Sequence, residues 1–417
     1  MKNEKVDVLV IGAGPSGTVA ASIINKAGFK VKIVEKEKFP RFVIGESLLP
    51  RCMEAFEEAG FLDALKKQGY QEKFGAKFVN PEKKVMDFNF DHQFTKGWTH
   101  TWQMPRADFD NILATEVQKM GVEIEFQTTV TGIKFEGTNS TTTVTGVDGS
   151  VRTIEARFIV DGSGYGRVIP RLFQLDQPSD LPSRKTIFTH IRDDKRMEYA
   201  EPNRILIIEH QPGVWAWCIP FSNGNTSCGF VSKPDFFNDF TGSPEKQLRD
   251  IIATEWSIAD RFKDASFLFE PKILQSWSTS TKQFFGNGYV LTGNVTEFLD
   301  PVFSSGVTLA AASSQLAAHL VIKQLKESKV DWQKEYTDVM MEGVETFRSY
   351  INAWYDGSLQ KIFFAEERNP EVISQICSVL AGYVWDNENP YVKNHRTHID
   401  RMVRLLSVGK KLKELNN

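Results

Sequence analysis

The stretch VDVLVIGAGPSGTVAASIINKAGFKVKIVE, residues 6–35, limits the fold more tightly than anything else in the chain. Val6 to Ile11 is a continuous apolar run of the buried-strand kind, Gly12, Gly14 and Gly17 follow at GxGxxG spacing, and Thr18 to Ala27 takes helical period. A second apolar run, Val31 to Val34, delivers Glu35. In a βαβ unit each glycine answers a steric demand: a tight turn at Gly12, backbone approach to a pyrophosphate at Gly14, and close helix–strand packing at Gly17. The helix start offers free N–H groups and positive dipole to the phosphates, with Pro15 and Ser16 inside the loop. Glu35 ends the second strand where a carboxylate can accept the hydroxyls of an adenosine ribose. A lone GxGxxG is a weak signal, but strand, glycines, helix, strand and terminal acid together predict a dinucleotide-binding fold.

At 417 residues the chain has room for two or three domains, at roughly 150 residues each. Its net charge of -3 gives no electrostatic case for nucleic acid. Cys52, Cys218, Cys228 and Cys377 lack CxxC or zinc-like spacing and read as reduced thiols, and His395 with His398 lacks a third ligand, so no metal is expected. With the first strand starting at residue 6 there is no room for a leader ahead of it, which points to a cytoplasmic protein. The least polar long segment, Val307 to Ile322, carries Ser313, Ser314, Gln315 and His319, so a buried helix is expected and no membrane span. Thirty-one Phe and nine Trp can pack a large core or wall an apolar ligand pocket.

Further along, Gln71 to Phe90 alternates and turns around Asn80-Pro81 as a strand pair would, and Asp108 to Met120 has helical period. Three Val/Ile/Thr/Phe runs between Glu123 and Val160 predict an antiparallel meander inserted in the nucleotide fold. Its end, Phe158-Ile159-Val160, leads into Asp161-Gly162, which reads as a second cofactor-contacting edge. Strand signals at Lys185 to Ile191, Arg204 to Glu209, Val214 to Pro220 and Thr226 to Val231 predict a second sheet. Gly288 to Leu291 is again a buried strand and leads to Gly293-Asn294, and from Trp332 the chain is helical, broken at Asn369-Pro370 and Asn387 to Pro390. The expected class is α/β: a discontinuous nucleotide domain (1–70, 103–182 and 286–327), a mainly antiparallel substrate-side sheet (71–102 and 183–285), and a helical C-terminal region (328–417).

Three cofactor-type elements in this order, GxGxxG, Asp161-Gly162 and Gly293, resemble the flavoprotein monooxygenases, Rossmann-type oxidoreductases that bind FAD. That family carries an acid after the third glycine, where this chain has Asn294; an amide still bonds a hydroxyl, so one contact is weakened. Trp215-Ala216-Trp217-Cys218-Ile219-Pro220 fits the WxWxIP pattern of flavin-dependent halogenases. Phe39-Pro40-Arg41 with Gly45-Glu46-Ser47-Leu48-Leu49-Pro50 resembles their flavin-side loop, and Asp300-Pro301-Val302-Phe303-Ser304-Ser305-Gly306 their halide-binding turn. The resemblance runs from the first strand to Trp354-Tyr355-Asp356 and Ala381 to Asp386.

Several roles follow from that resemblance. FAD contacts extend to Arg41, Ser47, Arg106, Val130, Pro301, Gly306 and Val307, halide to Ser304, Ser305 and Gly306, and catalytic roles to Lys73, Glu46, Trp215 and Trp217. Reduced FAD from a separate flavin reductase, oxygen and halide would yield hypohalous acid, which Lys73 receives for substitution of an aromatic substrate. Members acting on free tryptophan carry a glutamate where this chain has Phe303, so a phenolic, pyrrolic or carrier-bound aromatic is implied. The residues alone leave other readings open. Lys73 fits a surface lysine on an amphipathic strand, Ser304 an ordinary helix cap, and Trp215 with Trp217 a core pair. A hydroxylase, an isoprenoid-reducing FAD enzyme and a non-catalytic flavin carrier are the rivals.

Overall fold

In a computed structural model, which describes residues 4–416, the apolar run at the N-terminus is the strand Glu4–Ile11 at the centre of an eight-stranded sheet. Val31–Val34 and then Glu123–Glu125 pair parallel on one side of it, and Val151–Asp161 pairs parallel on the other. Val151–Asp161 works twice along its other edge. Residues Val151 to Ala156 meet Asn139–Gly146 antiparallel, and Ile159 to Asp161 meet Tyr289–Leu291 parallel. The meander thus grows out of the nucleotide sheet itself. Burial on both faces explains why these strands read as unbroken apolar runs.

The second sheet has seven strands in the order Lys272–Gln275, Lys185–Arg192, Asn225–Ser232, Val214–Pro220, Leu206–Gln211, Gly75–Val79 and Val85–Asn89. All neighbours are antiparallel except Leu206–Gln211 with Gly75–Val79. One detail departs from the sequence reading. The strand pair around Asn80-Pro81 begins only at Gly75, and Gln71–Lys73 belongs to a separate ladder with Thr101–Gln103. A Cβ at Gly75 would stand 1.9 Å from the Phe88 carbonyl oxygen, so the chain changes ladders at a residue without one.

The long helix Ser305–Leu325 is apolar enough to cross a membrane by length and composition, with 67% of its apolar window buried inside the protein. It packs on the glycine-loop helix Pro15–Lys26 and on Cys52–Ala59. The C-terminal helices start where their caps dictate: Asn369 and Asn389 accept backbone N–H groups of Pro370–Leu380 and Pro390–Lys393, each with proline in first position. Phe363 of Ser358–Phe363 and Trp354 of Val339–Tyr355 pack against Phe78, and Phe363 also against Phe88, which binds the helical region to the second sheet.

The inner face of that sheet is crowded. A Cβ at Gly229 would lie 2.5 Å from both the Trp217 indole and the Phe188 Cβ. Gly229→Ala should therefore cost about 1–3 kcal/mol by overpacking, read as a lowered urea midpoint with an unchanged m-value.

Candidate active site

A cavity of about 580 Å³ opens between the two sheets, floored by the glycine loop and walled by the strand Val214–Pro220. The glycines behave as their spacing demands. Gly12 has φ +94°, where a Cβ would stand 2.8 Å from the Gly162 carbonyl oxygen, and a Cβ at Gly17 would sit 1.9 Å from the Gly12 carbonyl oxygen. At Gly14 a Cβ would meet only Arg41 Nη2, at 3.7 Å, so the missing side chain leaves a cradle that faces the cavity. Glu35 is buried, accepting the Ala13 N–H at 2.8 Å and the Glu37 N–H at 2.9 Å, so it braces the loop while lining the same space. Two arginines stand over the cradle. Arg41 and Arg106 share the carboxylate of buried Asp110 at 2.8–3.0 Å, leaving one net positive charge. Cradle, open helix N-terminus and net cation fit the pyrophosphate of FAD, and Asn294, Pro301, Gly306 and Val307 line the cavity further along.

Opposite stands an aromatic wall. Trp215 and Trp217 both line the cavity and both belong to the buried core. Each indole N–H is held: Trp217 donates to Ser227 Oγ at 3.0 Å and Trp215 to the Tyr355 hydroxyl at 2.9 Å. Tyr355 in turn donates to Asp300 at 2.9 Å, and the Arg184 guanidinium lies 3.7 Å from the Tyr355 ring centroid. Burial pushes the Asp300 carboxyl up to about 6, against the pull of Tyr355 and Arg184. Ser304 adopts φ 58° ahead of the long helix, and Ser304 and Gly306 line the cavity at its amino end.

Lys73 is not on the surface. It is 3% exposed, donates to Ser47 Oγ at 2.9 Å and to the Leu48 carbonyl at 2.8 Å, and lines a second cavity of about 790 Å³ with Tyr70, His100, Trp102 and Arg204. Ser47 lines the first cavity, so the amine is hydrogen-bonded to a residue of the other chamber, and Ile205 lines both. Burial brings the Lys73 ammonium down to about 7.

Other expected contacts face elsewhere. The Asp161 carboxylate accepts the Ser163 and Ile169 N–H groups at 3.0 and 2.8 Å and so caps its own turn, while its neighbour Gly162 lines the cavity. Val130 sits in an apolar cluster with Val6, Ile11 and Val144, away from the cavity walls. Gly293 at φ +61° packs on Ala310 and donates to Ser313, and Ser305 is buried. Ser16 lines the cavity, yet its hydroxyl ties the glycine loop to Thr292 and Ser314 at 2.7 and 2.8 Å. Three partners escaped the sequence reading. Asp110 had a signal, lying four residues after Arg106 on one helix, whereas His190, 2.7 Å from Glu46, and Arg184 had none.

The buried amine has a consequence for stability. Below about pH 7 both folded and unfolded chains carry the Lys73 proton, and the fold bears the whole burial cost. Between about 7 and 10.5 the unfolded chain keeps a proton that the folded one releases, so stability rises with pH. That cost is of order 5 kcal/mol, offset in a variant by two lost hydrogen bonds worth about 1–1.5 kcal/mol each. Lys73→Met should gain about 2 kcal/mol in urea unfolding at pH 6, and the gain should vanish near about pH 9 and turn into a loss by about pH 10.

Comparison with known proteins agrees with this geometry. A 1H-pyrrole-2-carbonyl-(peptidyl-carrier protein) chlorinase from Pseudomonas fluorescens is 25% identical over 414 residues, covering 93% of this chain and 91% of that protein. The corresponding brominase of Pseudoalteromonas luteoviolacea is 26% identical over 395 residues, covering 92% and 93%. The crystal structure of a flavoprotein/dehydrogenase from Cytophaga hutchinsonii is 57% identical with a TM-score of 0.96, covering 98% of this chain and all of that one. A family model described as an FAD binding domain matches residues 5–236, more than half of the sequence. The chain therefore belongs to the FAD-binding domain family of flavoproteins, and FAD is its cofactor.

Proposed function

We propose that the protein is an FAD-dependent halogenase whose transfer residue is Lys73 and whose substrate is a phenolic, pyrrolic or carrier-bound aromatic. The observation that carries this reading is the position of Lys73, a buried amine bonded through Ser47 to the flavin chamber and open to a second chamber of its own. Burying an amine is costly, and a core position would hold an apolar residue instead. Bound reduced FAD supplies the electrons with which oxygen and halide become hypohalous acid. The chain's part is to hold the halide at the amides that open the helix Ser305–Leu325, with Ser304, Ser305 and Gly306. Its aromatic wall then excludes water along the way to Ser47 and Lys73.

Lys73, lowered to about 7, offers a free amine or a hydrogen-bonding ammonium near neutrality. Phe303 is buried against Tyr350 and Trp354, so the turn presents no acid to an indole substrate. The pyrrole-carrier relatives support a carrier-bound or pyrrolic substrate. One GxGxxG loop in the chain supports a separate flavin reductase as electron source.

The similar flavoprotein/dehydrogenase supports a second reading, a dehydrogenase whose bound FAD takes hydride from an organic donor. Rapid bleaching of the bound flavin by NADH or NADPH without a reductase would favour that reading over the first. The halogenase test mixes the protein with reduced FAD, oxygen, bromide and a panel of phenols and pyrroles under mass detection. Lys73→Met should lose brominated product by roughly 100-fold or more while still binding FAD and consuming oxygen. Undiminished product in that variant removes the role of Lys73, and hydroxylated product alone from the parent removes the halogenase reading. Gly14→Val, which fills the cradle, should abolish FAD retention on gel filtration.

A further inference from the structure

Glu46, buried at the wall of the flavin chamber, pairs with the half-buried His190 of the facing sheet. Glu46 comes from the loop after the second nucleotide strand and is 1% exposed, while His190 comes from Lys185–Arg192 of the facing sheet. Glu46 Oε1 lies 2.7 Å from His190 Nε2, and Glu46 Oε2 is buried with no partner at all. A buried carboxylate oxygen left bare is costly unless something is to bond there. Glu46 lines the chamber and precedes Ser47, the residue bonded to Lys73. Behind it the imidazole is boxed by Phe42, Phe221 and Phe269, with ring centroids 6.0, 5.2 and 5.1 Å away, and keeps 12% of its side chain exposed. A titratable chain thus runs from solvent through apolar packing to an unpartnered oxygen inside. Two other charges lie on that box: the Lys272 ammonium over Phe42 and Phe269, and Arg196, which donates to the Phe221 carbonyl.

We propose that His190 and Glu46 deliver a proton from solvent into the flavin chamber, with Glu46 the group facing the reacting species and His190 a positioning residue that reloads it. The inference rests on the halogenase reading. Its stoichiometry demands such a proton. One O₂, one halide and the two electrons and two protons of reduced FAD, plus one further proton from solution, give oxidised FAD, one hypohalous acid and one water. The halide is oxidised by two electrons and dioxygen is reduced by four, so atoms and charge balance only with that third proton. Glu35 and Glu37 also line the chamber, but the Glu35 oxygens are engaged by backbone N–H groups and Glu37 is exposed. Among the described residues, Glu46 is the acid of this chamber with a bare buried oxygen.

The test uses FAD-loaded protein, reduced anaerobically and mixed with oxygen and bromide in a stopped-flow instrument, with hypobromous acid trapped by a dye. His190→Gln should slow hypobromous acid formation roughly 100-fold and recover at least tenfold in added imidazole. FAD affinity, read by tryptophan quenching, should stay within twofold. Glu46→Gln should be as slow but unmoved by imidazole, and in ¹⁵N-histidine-labelled protein without FAD it should displace the His190 ring signals. An unchanged rate in His190→Gln overturns the relay. Slowing that imidazole does not relieve, or that accompanies weakened FAD binding, makes the pair a structural brace and overturns it too. A parent that yields no hypobromous acid removes the halogenase reading itself, and the relay with it.

Discussion

The site hangs on a backbone contact that only glycine permits. At the carboxyl ends of Glu4–Ile11 and Val151–Asp161, Gly12, Gly17 and Gly162 approach so closely that a Cβ at any of them would stand 3 Å or less from main-chain or Ser16 atoms. That contact sets where the helix Pro15–Lys26 begins and therefore where its free N–H groups point. Ser16 then fastens the loop to Thr292 and to Ser314 of the long helix, so three distant segments share one corner. The cradle is thus made of main chain, and its shape does not depend on the rotamers of flexible side chains.

The two sides of the chamber are built on opposite principles. On the glycine-loop side charge is plentiful and largely paired, Arg41 and Arg106 both being held in place by Asp110. On the far side aromatic rings wall the space, and beyond it, in the second cavity, polar groups are buried at a cost to stability. Lys73 is the clearest case, with two hydrogen bonds and no carboxylate partner in a buried place. A protein selected for stability alone would not keep an amine there.

What the sequence made legible was local. Glycine spacing, apolar runs and Asn-Pro caps each act within a few residues, so the nucleotide sheet, most strands of the facing sheet and the C-terminal helix starts could be read directly. The edge strand Lys272–Gln275 gave no signal, and the glycine-loop helix starts at Pro15, ahead of the expected Thr18. Lys73 could be singled out by resemblance, but its burial could not, because Gln71–Lys73 pairs with Thr101–Gln103 and not with the nearer hairpin. Partners far apart in sequence were invisible: Glu46 and His190 are separated by 144 residues, Trp215 and Tyr355 by 140. Asp161 was read as a cofactor ligand because acidic, glycine-rich strand ends commonly are. Here the following turn leaves two backbone N–H groups that its carboxylate satisfies.

The hydrogen bonds around Tyr355 have a fixed direction, which makes the C-terminal helices part of the site. An indole N–H can only donate, so the Tyr355 oxygen must accept from Trp215, and its own proton goes to Asp300. Asp300 is fully buried and also accepts the Val302 N–H, so the turn carrying Pro301 and Ser304 is held from two sides. Arg184, stacked on Tyr355, supplies the positive charge that keeps such a carboxyl tolerable. Through these four residues the tryptophan wall, the turn Asp300 to Ser304 and the helix Val339–Tyr355 are tied together. A shift of that helix would move Trp215 and Ser304 together, which is why a region without a cofactor motif of its own still shapes the chamber.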